Sequence, residues 1–128
     1  MPNCTLTIAT TIDGKETQIS RKGEMTNLGD CLLLTYQEDG AKTTVTVGKD
    51  SAEITRKGDY STYLPLKKGE KTQGSLGIAG NIGELWIQTY LAEYSQKTNK
   101  YLITLRYDIL TEGDPQETRV RILVKTSV

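Results

Sequence analysis

The chain has 128 residues, 36% hydrophobic and 25% charged, a balance that fits one globular domain and excludes both a disordered tail and a helical membrane protein. Sixteen Lys and Arg offset sixteen Asp and Glu, so no long-range field favours nucleic acid or an anionic membrane. Histidine is absent, and with it the usual general base near neutral pH, the base of a Ser or Cys triad and the commonest zinc ligand.

Nineteen threonines, together with Val, Ile and Tyr, suit a pleated, half-buried surface. Gly, Asp and Asn clusters recur about every ten residues, the spacing of strands joined by tight turns. Between them the sequence predicts strands over Thr5 to Ile12, Glu16 to Met25, Cys31 to Glu38, Lys42 to Val47, Ser51 to Lys57, Tyr60 to Leu66, Lys71 to Ala79, Glu84 to Ser95, Lys100 to Leu110 and Gln116 to Thr126. No window has sustained helical periodicity. Alternation is cleanest near the end, where Leu85, Ile87, Thr89 and Leu91 share one face, as do Tyr101, Ile103, Leu105, Tyr107 and Ile109, and then Val120, Ile122 and Val124. Short connections favour antiparallel neighbours, and nine to ten such strands close into a barrel, since an open sheet would leave edges. The expectation is all-β: a single up-and-down antiparallel β-barrel over residues 1–128.

Several pieces carry a resemblance: Tyr36-Gln37-Glu38, Thr43-Thr44-Val45, Arg56-Lys57-Gly58, Gly83-Glu84-Leu85-Trp86-Ile87 with Thr89, and Leu105-Arg106-Tyr107-Asp108-Ile109. In this order and at these separations the chain resembles a bacterial family of small calycin-like β-barrels named after the YwiB protein, a family without a known function. The resemblance implies a lipocalin-like barrel in a cytoplasmic protein and brings no activity with it, because one fold hosts many functions.

Residue patterning suggests where chemistry could sit. If Leu32, Leu34 and Tyr36 face inward, the period of two puts Glu38 on the same face at the rim, and Ala52, Ile54 and Arg56 form a matching set. Glu38 and Arg56 are then expected to meet, either as a structural plug or with Arg56 receiving a ligand anion while Tyr36, Thr89 and Tyr107 supply hydroxyls. On the eighth strand the opposite face reads Trp86, Gln88, Tyr90, Ala92 and Tyr94, an outer aromatic row suited either to a subunit contact or to cover by the chain itself. Arg106, Arg119, Arg121 and Lys125 share an outward face that reads as solvated. Cys4 and Cys31 fall on strands two spacings apart, about 9.6 Å, beyond disulfide reach. No apolar segment precedes Cys4 that could serve as a signal peptide, so a reduced cytoplasmic setting is expected.

Two functions follow as expectations. One is a binding module for a small amphipathic or anionic ligand in or at the mouth of the barrel, lined by Tyr36, Glu38, Arg56, Thr89 and Tyr107. The other is a structural or interaction module with a filled barrel, acting through Trp86, Tyr90 and Tyr94. An enzyme is the class these residues support least, since no nucleophile has a visible base. No cofactor and no metal are expected, and a small-molecule ligand or a homodimer, rather than nucleic acid or membrane, is the expected partner.

Overall fold

A computed structural model describes residues 3–126, which form ten strands and no helix. They are β1 (Asn3–Ile12), β2 (Lys15–Asn27), β3 (Leu32–Glu38), β4 (Ala41–Val47), β5 (Ser51–Lys57), β6 (Tyr60–Lys67), β7 (Lys71–Ile78), β8 (Asn81–Lys97), β9 (Lys100–Leu110) and β10 (Gln116–Thr126). The strands lie where the turn residues and the alternation predict them. The largest difference is at β8, which begins at Asn81 rather than Glu84. Every strand pairs antiparallel with its sequence neighbours, and β1 closes the barrel on β10 through a ladder from Cys4↔Thr126 to Ile12↔Thr118. Closure removes the long edges that an open meander would expose.

Turn chemistry fixes the hairpins. Asp13-Gly14, Asp39-Gly40 and Ala79-Gly80 each hold two successive residues at positive φ, between 49° and 84°, the conformation whose twist matches the flanking strands in a two-residue hairpin. These turns, with Gly58-Asp59 and residues 111–115, lie at one end of the barrel, which we call the upper end. The connections at residues 28–31, 48–50, 68–70 and 98–99 lie at the lower end.

The inward face follows the predicted parity except along β8. A register shift between Thr89 and Leu91 makes Tyr90 the extra residue of a β-bulge, and one inserted residue moves everything after it to the opposite face. Ala92 is therefore fully buried and Tyr94 packs against the core, whereas Leu91, expected inward, is only partly buried. The predicted row of three outer aromatics is thereby reduced to Trp86 and Tyr90.

Core packing is uneven along the barrel axis. Leu6, Leu32, Leu34, Val47, Ile103 and Val124 are 0% exposed and fill the lower half. Burying each such side chain contributes about 1.5–3 kcal/mol relative to leaving it in water. Among the upper inward positions Tyr36, Ile54 and Val120 are only partly buried. Cys4 is buried, Cys31 precedes β3, β2 runs between them, and both thiols are free.

Candidate functional site

The under-packed upper half encloses a cavity of about 350 Å³. Its deeper wall is apolar, formed by Ile8, Val45, Ile54, Leu64, Leu105 and Ile122, while Thr10, Tyr36, Glu38, Thr43, Arg56, Tyr60, Thr62 and Tyr107 line it towards the mouth. Seven strands contribute to this wall. An apolar chamber with a few convergent polar groups is the usual form of a small-molecule site.

Four of the five predicted ligand residues, Tyr36, Glu38, Arg56 and Tyr107, line this chamber. Glu38 and Arg56 do not form the predicted ion pair. Glu38 pairs across its own ladder with Ala41, and Arg56 pairs with Thr43, so the whole of β4 separates them, a gap of two strand spacings or about 9.6 Å. The register from Gly23↔Tyr36 instead brings Arg21 of β2 beside Glu38, and Arg21 Nη2 lies 3.5 Å from Glu38 Oε1. Both side chains keep about a third of their surface exposed, 33% and 32%, so this is a rim pair of modest strength. Sequence reasoning missed Arg21. Its signal was present, since Ile19, Arg21, Gly23 and Met25 share one face and Arg21 stands opposite the fully buried Leu6.

Arg56 is held by β6 instead. Its Nη1 donates to the Tyr60 carbonyl at 3.0 Å, and its guanidinium carbon stacks 3.8 Å from the centre of the Tyr60 ring. Among the described residues no carboxylate lies within ion-pair distance of Arg56. The mouth thus contains one neutralised charge pair and one cation that is oriented yet unpaired.

The two phenols sit below this cation. Burial pushes the Tyr107 hydroxyl up to about 12, with the neighbouring Tyr36 adding to the effect. Burial also raises Tyr36, opposed by Thr43 beside it and by the Arg21 and Arg56 charges. Each phenol therefore keeps its proton at neutral pH and is available as a hydrogen-bond donor. Gly23 makes room for Tyr36, because a Cβ there would stand 2.6 Å from the Thr35 carbonyl and 3.2 Å from Tyr36 Cβ.

Thr89, the fifth predicted residue, does not line the chamber. It is fully buried on β8 directly opposite Tyr107, and Thr118 of β10 is opposite Tyr107 on the other side. The Thr89 and Thr118 hydroxyls, which flank Tyr107, have no hydrogen-bond partner among the described residues.

On the outer wall Trp86 and Tyr90 are 44% and 46% exposed. Lys71 Nζ lies 5.3 Å from the Trp86 ring centre and the Arg106 guanidinium 5.6 Å from that of Tyr90, whose hydroxyl donates to Asp108 Oδ2 at 2.7 Å. Tyr94 is not part of this wall, for the reason the bulge supplies. Arg106, Arg119, Arg121 and Lys125 are exposed, as their parity predicted. Among the described residues no group of three His, Cys, Asp or Glu is placed to hold a metal ion, and no helix is long and apolar enough to cross a membrane.

A closed, ten-stranded meander with a chamber at one end defines a calycin-like up-and-down β-barrel. The same barrel occurs in the crystal structure of the ywiB protein from Bacillus subtilis, with a TM-score of 0.82 over 99% of this chain and 93% of that chain at 19% sequence identity. Residues 4–122 match the family model described as Domain of unknown function (DUF1934), and the chain belongs to that family. No curated protein matches the chain.

Proposed function

We propose that this protein is a binding module whose upper chamber takes a small amphipathic or anionic molecule. The supporting observation is the chamber of about 350 Å³ with an apolar floor and, at its mouth, an Arg56 guanidinium that no carboxylate among the described residues neutralises. A cation kept partly out of water without a carboxylate to balance its charge is less favourable to the fold than a paired one, and such a cost is common where a site is kept for binding. Tyr36 and Tyr107 add donors beneath it, and Glu38, satisfied by Arg21, borders the mouth. Thr89 contributes from behind, as the neighbour of Tyr107. We place this activity in a reducing, cytoplasmic setting, in keeping with two free thiols.

Native mass spectrometry of protein purified from its own host, together with methyl NMR of Val45, Leu105 and Ile122, tests this function. A bound small molecule that is lost on filling the chamber with Thr62→Trp is the expected result. An unliganded mass, with floor methyls that respond to no amphiphile, would overturn it.

A second function, contact with a partner protein or a second copy through the outer wall, is favoured by the exposed rings of Trp86 and Tyr90 on one face of β8, each with a cationic neighbour, a composition common in interface hot spots. Sedimentation of the wild type against the Trp86→Glu, Tyr90→Glu double variant tests it. An association seen only in the wild type supports this role, and identical monomers remove it.

A further inference from the structure

The chamber has a direction, a depth and a charge, and together they narrow what fits. Its charged and phenolic groups are at the mouth and its wall turns apolar with depth: along β6 the inward positions run Tyr60, Thr62, Leu64, and along β5 Arg56 then Ile54. Below that floor the barrel is closed by Leu34, Val47, Leu66 and Val124, all between 0% and 2% exposed. From Tyr60 to Leu64 the strand advances about 13 Å, or about 10 Å along the axis at the usual barrel tilt, close to the length of an extended eight-carbon chain.

The charges set the head group. Arg21 neutralises Glu38, which leaves Arg56 as the cation among the residues that line the chamber. Around it, every charged residue in the upper turns is acidic: Asp13, Asp39, Asp59, Glu112 and Asp114. One negative charge on the ligand is met by Arg56, whereas a second finds no further Lys or Arg in the chamber lining, Lys15, Lys42 and Lys57 lying outside it, and faces these turn carboxylates.

Building on the binding function above, we propose that the chamber is selective for monoanionic amphiphiles of medium length, seated tail first, with a single carboxylate held at the mouth by Arg56 and the phenol of Tyr107. Because the floor is solid, a tail longer than the chamber pushes the head off Arg56, so affinity passes through a maximum with chain length instead of rising steadily with apolar area.

Methyl NMR titration of the full chain with octanol, octanoate, octyl phosphate as its dianion, and hexadecanoate, each below its micelle concentration, tests the proposal. Octanoate is expected to bind about tenfold or more tighter than octanol, the worth of a charge-assisted hydrogen bond. It should also bind tighter than both octyl phosphate and hexadecanoate. Arg56→Gln should bring octanoate and octanol within about twofold of each other, whereas Lys57→Gln, outward-facing and next in sequence, should keep the preference. Equal binding of octanol and octanoate to the wild type, with Leu105 and Ile122 methyls shifting, would overturn the head-group assignment and leave the binding function standing. Octyl phosphate binding as tightly as octanoate would overturn the single-charge selectivity, and hexadecanoate binding more tightly would overturn the depth limit. If no probe moves those methyls, both the selectivity and the binding function fail.

Discussion

The two ends of this barrel are built from the same strands and do opposite things. On β3, Leu32 and Leu34 are buried in a dry, filled layer, and two and four residues beyond Leu34 Tyr36 and Glu38 line an open mouth. On β5, Ala52 belongs to the packed layer and Arg56 to the rim. The gradient from apolar residues to Thr, Tyr and charge runs along β3, β5 and β6, so on these strands it is written locally rather than between strands. A barrel whose lower half supplies most of the apolar burial is free to leave its upper half under-packed, and that freedom is what a binding chamber requires.

Breaking the packed end should have the largest effect. Leu34→Ala removes a fully buried side chain and should cost about 2–5 kcal/mol in denaturant unfolding, whereas Thr62→Ala at the chamber wall should cost less than about 1 kcal/mol. Equal losses would erase the contrast between the ends.

Next in size is an alkaline effect confined to the upper end. The Tyr107 phenol, at about 12 in the folded chain, binds its proton more tightly than an ordinary tyrosine near 10. Its contribution is therefore fully present below about pH 10 and is lost as pH rises towards 12, a change on the order of 2–3 kcal/mol. Unfolding measured across that range should fall more steeply for the wild type than for Tyr107→Phe. The same slope in both would mean that Tyr107 is more solvated than its burial indicates.

Gly23→Ala should follow, at about 1–3 kcal/mol, because the added methyl meets the Thr35 carbonyl at 2.6 Å and crowds Tyr36. Thermal melts would show this, and a neutral outcome would imply that β2 and β3 can move apart at the mouth.

The rim charges should matter less. A double-mutant cycle on Arg21→Ala and Glu38→Ala should give a coupling below about 1 kcal/mol, as expected for a pair a third exposed, while Glu38→Ala and Arg56→Ala should be additive within about 0.5 kcal/mol. A large coupling in the second cycle would restore the ion pair that the register denies. Smallest of all, Thr62→Ile should stabilise by about 0.5 kcal/mol by adding apolar contact at the chamber wall, and octanoate titration should show binding weakened but retained, in contrast to Thr62→Trp.

Much of this molecule was determined by the sequence alone. Ten strands, their turns and the inward faces of β3, β5, β9 and β10 were legible because alternation and tight-turn residues are local signals, read within a few residues of themselves. Membership of Tyr36, Glu38, Arg56 and Tyr107 in one chamber followed from the same parity. The tertiary structure decided which of these residues meet. Partners across a barrel are set by cumulative register, so Glu38 found Arg21 from the preceding strand while β4 kept Arg56 away. The bulge at Tyr90 turned Tyr94 inward because a single extra residue reverses a period of two, and nothing in the strand's own alternation marks where it falls. The uneven filling of the barrel was decided in three dimensions as well, since free volume is a property of all ten strands packed together and of no segment by itself.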